Sequence, residues 1–242
     1  MFGYEDNVRF SQVDEQERMT LPAIVDAMQD CSDRHSESIG AGREFLVKRH
    51  RAWLLAFWQI VIDRRPMEHE AYRVETRPWK FEKFFGQRNF ALYDREGQPM
   101  VRANSVWFYV DTEDMRPVRC EGEDIVMYGQ DEPLAMDYAR IKKVRLPKTM
   151  EERESFPVRR AQIDLNHHVN NGKYIQMACE YFPEDWDIAE IHVEYRLAAK
   201  YGDRIYPKVG MAEDGAMIVA LCQEDGTPYA VIAGWNRKAE EE

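Results

Sequence analysis

Two landmarks recur in this chain in the same order, and that recurrence constrains its fold more than any single motif. Arg9-Phe10-Ser11-Gln12-Val13-Asp14 returns 150 positions later as Arg159-Arg160-Ala161-Gln162-Ile163-Asp164. Ala91-Leu92-Tyr93-Asp94-Arg95-Glu96-Gly97-Gln98-Pro99 returns 129 positions later as Ala220-Leu221-Cys222-Gln223-Glu224-Asp225-Gly226-Thr227-Pro228. An ordered pair of matches marks a duplicated unit, with about 21 extra residues between the landmarks in the first copy.

Each copy continues in the same way. Ile24, Val25 and Met28 repeat at near 3.6 residues and predict a helix from Leu21 to about Asp33. Tyr174, Ile175, Met177, Ala178, Tyr181 and Phe182 predict another from Asn170 to Phe182, stopped by Pro183. The second is apolar around most of its circumference, as suits a helix wrapped by a sheet. Strand-like runs follow at Trp53–Asp63, Ala71–Thr76, Arg88–Tyr93 and Met100–Asp111, then at Glu190–Leu197, Arg204–Val209, Met217–Gln223 and Tyr229–Arg237. Glu96-Gly97 and Asp225-Gly226 are hairpin tips. A central helix followed by an antiparallel meander is the plan of a hot-dog domain. Two copies predict an α+β tandem, or double, hot-dog: two antiparallel sheets, each wrapping a long central helix. The expected boundaries are a first hot-dog at 1–112, a linker rich in charge, Pro and Gly at 113–156, and a second hot-dog at 157–242.

Composition narrows the function classes. The net charge of −11 argues against general nucleic-acid binding. No apolar run approaches the roughly 20 residues that span a bilayer, and Met1-Phe2-Gly3-Tyr4-Glu5-Asp6 lacks the start of a signal peptide. A cytoplasmic protein that neither enters a membrane nor binds nucleic acid is the expectation. Cys31, Cys120, Cys179 and Cys222 are scattered, which predicts thiols and no metal site.

The chemistry concentrates just before the second helix. Asp164, Asn166 and His168 stand at alternate positions, and in extended backbone alternate side chains share a side. They would then meet the helix N-terminus at Asn170, Asn171 and Gly172, where backbone N–H groups and the positive dipole end can stabilise an oxyanion. A carboxylate can activate water or attack a carbonyl, an imidazole can relay a proton, and an amide can hold either partner. These are parts for thioester hydrolysis. Asp and Asn before a helix are also ordinary caps, and Asn170 suits that role, with His167 a bystander. Copy one keeps Asp14 but has Gln16 and Arg18 at the other two places. Chemistry in the second half and acyl-chain accommodation in the first is the expected division.

The run Asp164-Leu165-Asn166-His167-His168-Val169-Asn170-Asn171-Gly172-Lys173-Tyr174 resembles the Asp-x-Asn-x-His-Val-Asn-Asn-x-x-Tyr signature of the acyl-ACP thioesterases, the plant fatty-acid-releasing enzymes and their bacterial relatives. Ser36-Glu37-x-x-Gly40, the Trp53 strand ending in Asp63-Arg64-Arg65-Pro66, Glu75-Thr76, Ser105-x-Trp107 and Glu194-Tyr195-Arg196 resemble further landmarks. The resemblance implies hydrolysis of fatty acyl-ACP to free fatty acid without a cofactor, with Asp164, Asn166 and His168 at the catalytic positions. It implies as partner an acyl carrier protein with a phosphopantetheine-linked chain; because a tandem already supplies the two-unit arrangement that single hot-dogs reach by dimerising, monomer and homodimer both stay open. The family's further acid, or a neighbouring Cys, falls at Ala198 and Ala199 here. Because acyl carrier proteins are acidic, docking needs a local basic patch: Lys142, Lys143 and Arg145, or Lys80, Lys83 and Arg88. An acyl-CoA or aroyl-CoA thioesterase, and a non-catalytic acyl-binding or carrier-docking protein, are the alternative readings.

Overall fold

Thr20 opens the first helix, its Oγ1 accepting from the Ala23 N–H at 3.3 Å, with Pro22 in the first turn where a missing N–H is harmless. The resulting α1 (Leu21–Ser38) buries Ile24, Val25, Met28, Cys31 and His35. It runs past the expected end at Asp33 because His35 continues the i, i+3, i+4 spacing of the buried face, which its polarity concealed in the sequence.

The computed structural model describes residues 1–138 and 143–237. They divide into two units, Met1–Ala56 with Ile62–Tyr138, and Phe57–Val61 with the described residues after Tyr138. The first unit contains β1 (Phe2–Asn7), α1, α2 (Arg43–Lys48), β2 (Arg51–Ile62) apart from its Phe57–Val61 stretch, β3 (Ala71–Glu82), β4 (Phe85–Tyr93), β5 (Pro99–Asp111) and α3 (Glu123–Val126). Its sheet runs in the order β1-β3-β4-β5-β2, and α1 packs against β1 and β3. β1 has no strand signal in the sequence, since Gly3, Asp6 and Asn7 are poor strand formers. Pairing with β3, from Phe2 opposite Thr76 to Asn7 opposite Ala71, holds it. β3 itself outruns the expected end at Thr76, because the register shifts between Pro78 and Lys80 and the bulge accommodates a proline that cannot donate to the ladder.

The second unit contains β6 (Glu151–Glu152), β7 (Phe156–Pro157), α4 (Asn171–Cys179), β8 (Ile188–Tyr195), β9 (Arg204–Met211), β10 (Met217–Cys222) and β11 (Pro228–Asn236). Its strands run β8-β11-β10-β9-β6, with β7 also on β9 and Phe57–Val61 antiparallel beside β8. α4 packs against β10 and β11. It is shorter than the apolar pattern suggested. Tyr181 and Phe182 donate to the Ala178 and Cys179 carbonyls three residues back, in tightened turns ahead of Pro183. The Phe182 ring instead covers Gly234, where an added Cβ would come within 2.7 Å of it.

The duplication is visible in backbone detail. Gly97 and Gly226 both stand in the left-handed region, at φ +78° and +86°, and close the same turn onto the Asp94 and Gln223 carbonyls. The segment expected as a linker is shared between the units. Tyr128 belongs to the first, donating to the Ala41 carbonyl at 3.3 Å and accepting from Trp53 Nε1 at 3.2 Å, whereas Glu151–Glu152 pair with β9 in the second.

His35 gives the first unit a pH dependence. Burial, with the Arg88 guanidinium and the N-terminal ammonium nearby, pushes it down from 6.5 to about 4, and its neutral Nδ1 accepts from Arg88 Nη1 at 3.0 Å. The unfolded chain takes up this proton at the ordinary value and the folded chain only near the lowered one, so stability falls as pH drops through that window. His35→Gln keeps an acceptor without the proton uptake. Urea unfolding between about pH 7 and 5 should show a shallower decline for the variant; the same slope in both proteins would contradict the assignment.

Candidate active site

Ile163 and Val169 form an antiparallel bridge, and the residues between them turn back tightly. The Asp164 N–H donates to the His168 carbonyl at 2.8 Å, and the His167 N–H to the Asp164 carbonyl at 3.1 Å. Asp164 Oδ1 accepts from the Asn166 N–H at 2.7 Å and from the His168 N–H at 3.4 Å. His167 takes a positive φ of +62°, costing on the order of 1 kcal/mol for a residue with a Cβ, which the turn's hydrogen bonds offset. This corrects the extended backbone inferred from alternate spacing. A short carboxylate that can satisfy nearby N–H groups favours a turn over a strand. Asp164 and His168 are half-buried, while Asn166, His167 and Leu165 are exposed.

Copy one has the same turn. Asp14 N–H donates to the Arg18 carbonyl at 2.9 Å, Asp14 Oδ1 accepts from the Gln16 and Arg18 N–H groups at 2.9 and 3.0 Å, and Glu17 stands at φ +61°. Positions 11–20 and 161–170 even share one sequence of exposed, half-buried and buried residues.

Comparison with known proteins bears on the family. The N-terminal domain model of acyl-ACP thioesterase matches residues 2–128, and the C-terminal domain model matches residues 146–233. The chain belongs to the acyl-ACP thioesterase family. It is 24% identical over 213 residues to a chloroplastic palmitoyl-acyl carrier protein thioesterase of Gossypium hirsutum, covering 81% of this chain and 51% of that one. The chain thus spans about half the length of the curated relatives it matches first. An acyl-ACP thioesterase structure from Bacteroides thetaiotaomicron superposes with a TM-score of 0.85 at 23% identity, covering 97% of each chain. The 12:0-ACP thioesterase of Umbellularia californica gives 0.86 at 19%, covering 98% of this chain and 96% of that one. These likenesses establish the double hot-dog fold.

Within this acyl-ACP thioesterase fold the two copies differ at one carboxylate oxygen. Asp14 Oδ2 is held by Arg65 Nη1 at 2.8 Å and lies 3.5 Å from Arg18 Nε. Burial alone would raise Asp14, but the Arg18 N–H and the Arg65 guanidinium outweigh it and hold the carboxyl below its usual range. The Met19 N–H donates to the Pro66 carbonyl, and the matching Val169 N–H donates to the Ala199 carbonyl, at 2.7 and 2.9 Å. Ala198 therefore occupies the place of Arg65, and His168 that of Arg18. Among the described residues, no side chain donates to the second oxygen of Asp164. Sequence reasoning missed this correspondence, although Arg65-Pro66 and Ala198-Ala199 each follow the first strand after their copy's opening helix.

Glu194 does not replace the missing acid. Its Oε2 accepts from the Val144 N–H at 2.8 Å and from Arg196 Nη2 at 2.9 Å, so it fastens the segment before β6. At the helix end, Asn170 is the cap: its Oδ1 accepts from the Gly172 N–H at 2.8 Å, which occupies one group expected for an oxyanion. The Asn171 carbonyl accepts from the Tyr195 hydroxyl at 2.9 Å. Of the basic clusters, Lys143 and Arg145 are exposed, and Lys142 lies outside the described residues. The alternative cluster fails as a surface patch, because Arg88 is buried and Lys80 pairs with Glu82 at 2.9 Å. Among the described residues no group of three His, Cys, Asp or Glu side chains could hold a metal ion, and no helix is long and apolar enough to cross a membrane.

Asn170→Ala should cost about 1 kcal/mol of stability in urea unfolding, and Asn170→Asp should recover most of it. Equal losses in the two variants would show that the side-chain cap contributes nothing.

Proposed function

We propose that this protein hydrolyses the thioester of fatty acyl-acyl carrier protein, releasing free fatty acid and the carrier thiol. One observation carries the reading. The turn fixes Asp164 through one oxygen and leaves the other without a protein donor among the described residues, whereas the matching oxygen of Asp14 is closed by Arg65 and Arg18.

The chemistry follows from that oxygen. A thioester is cleaved when an oxygen nucleophile adds to its carbonyl carbon and the C–S bond then breaks, with a proton delivered to the leaving thiolate. The open oxygen of Asp164 supplies the nucleophile, either by attacking the carbonyl itself, with water then hydrolysing the resulting acyl–Asp164 anhydride, or by taking a proton from an attacking water. His168, next along the turn's edge, carries the proton, and the exposed Asn166 amide orients the water or the carbonyl. Asn171 and the α4 N-terminus contribute positive potential, with Gly172 spent on the cap. The first unit holds the acyl chain, and Lys143 and Arg145 meet the acidic carrier in a cytoplasmic setting.

Free fatty acid released from a panel of acyl-ACPs, against the same acyl groups on CoA, tests the proposal. Faster release from ACP is expected, equal rates would remove the carrier preference, and background rates throughout would favour the non-catalytic acyl-binding reading that Ala198 suits. A second expectation is internal to the site. Ala198→Arg should rebuild the copy-one ion pair on Asp164 and lower turnover by about 100-fold or more while the protein stays folded. Unimpaired turnover in a folded Ala198→Arg variant would mean that the open oxygen is not used.

A further inference from the structure

The first unit buries a guanidinium with no carboxylate paired to it among the described residues. Arg88, on β4, is 8% exposed, and among the described residues no Asp or Glu pairs with it. Its Nη1 donates to His35 Nδ1 at 3.0 Å and to Thr76 Oγ1 at 3.2 Å, both neutral acceptors. Tyr128 lies beneath it with the ring centroid 5.7 Å from the guanidinium carbon. Asp131 influences it electrostatically without a hydrogen bond. A charge removed from water without a counter-ion is costly, and proteins ordinarily pair it or hydrogen-bond it fully.

Arg88 borders a cavity of about 70 Å³. By the measure in which one water occupies roughly 10–15 Å³, that is room for about five heavy atoms: a carboxylate and the first carbons of its stem, with the remainder of a longer stem leaving through the open side. Trp53, Phe81, Trp107 and Tyr128 wall it, and Ser32 and Ser36 face it from α1. Both serine hydroxyls already donate to helix carbonyls, at 2.9 and 3.0 Å. The cavity therefore combines a mostly aromatic lining with one cationic donor and one amide, that of Gln87, whose Oε1 already accepts from Asn104 Nδ2 at 3.3 Å, and its lining includes no acidic group. An inorganic phosphate would find too few donors, whereas a carboxylate on an apolar stem matches both parts.

We infer that this cavity binds a carboxylate carried on a short apolar stem, with Arg88 as its counter-ion and the aromatic walls against the stem. The inference deepens the reading of the first unit as the acyl-holding half. Two sources supply such a group: the far end of a dicarboxylic acyl chain, or a released fatty acid with its carboxylate turned inward.

Binding can be read without turnover, so a protein that hydrolyses nothing can still pass or fail. The titration follows tryptophan fluorescence, since Trp53 and Trp107 line the cavity, with hexanoate and with its neutral isostere hexanamide as probes. Hexanoate should bind at least about tenfold more tightly, the scale of a charge-assisted hydrogen bond. Arg88→Gln should abolish the preference. Equal affinities, no binding of either probe, or a preference that survives Arg88→Gln would overturn the inference. If Arg88→Gln does not fold, the wild-type comparison of the two probes still decides. Within a series of graded length, ω-carboxyacyl-ACPs cleaved faster than the plain acyl-ACPs at some length assign the site to the acyl terminus, and hexanoate inhibition without that advantage assigns it to the released acid.

Discussion

The organising interaction of this protein is an aspartate that folds the chain back on itself. In each copy one carboxylate oxygen accepts from the N–H groups two and four residues ahead, and the turn so formed delivers the chain to a capped helix. The helix in turn covers the sheet of its own unit. Because Oδ1 is consumed in the same way in both copies, the fate of Oδ2 separates them. Structure uses one oxygen, and the neighbouring strand end decides what the other can do.

The sheets supply rigidity for that arrangement. In the second unit Ile218, Ala220, Cys222, Val231 and Ala233 form a buried cluster on β10 and β11, with Val144 and Met150 packed against it. Burial raises the Cys222 thiol, in keeping with a packing role. Glu194 and Arg196 fasten Val144 through its backbone, so the segment entering this unit is tied to β8. In the first unit the buried polar groups are networked around Arg88, Thr76, Ser105 and His35. Ser105 Oγ donates to the Arg88 carbonyl at 3.1 Å and accepts from Trp107 Nε1 at 2.7 Å. Several positions that resembled family landmarks in the sequence thus prove to be parts of one hydrogen-bonded lining.

Much of this was legible beforehand because it rests on local pattern. The repeat, the helix start at Leu21, the Asp-Gly and Glu-Gly hairpin tips and most strand centres depend on periodicity and turn chemistry that neighbouring residues encode. The errors have physical causes. Asp164-x-Asn166-x-His168 reads as strand by alternation, but an Asp carboxylate competing for nearby N–H groups makes it a turn. Arg88 reads as surface by charge, yet β4 is buried along nearly its whole length. The equivalence of Arg65 and Ala198 is a long-range contact, and only the paired hydrogen bonds from Met19 and Val169 reveal it.

Two nearly identical turns thus divide their roles, structural in the first copy and, in the proposed reaction, chemical in the second. The most direct measurement compares thiol release from acyl-ACP by Asp14→Asn and Asp164→Asn, normalised to folded protein. Both substitutions keep an oxygen for the turn and remove the charge. Asp14→Asn should retain wild-type turnover per folded molecule while Asp164→Asn falls to background. Equal turnover in the two variants would contradict that division.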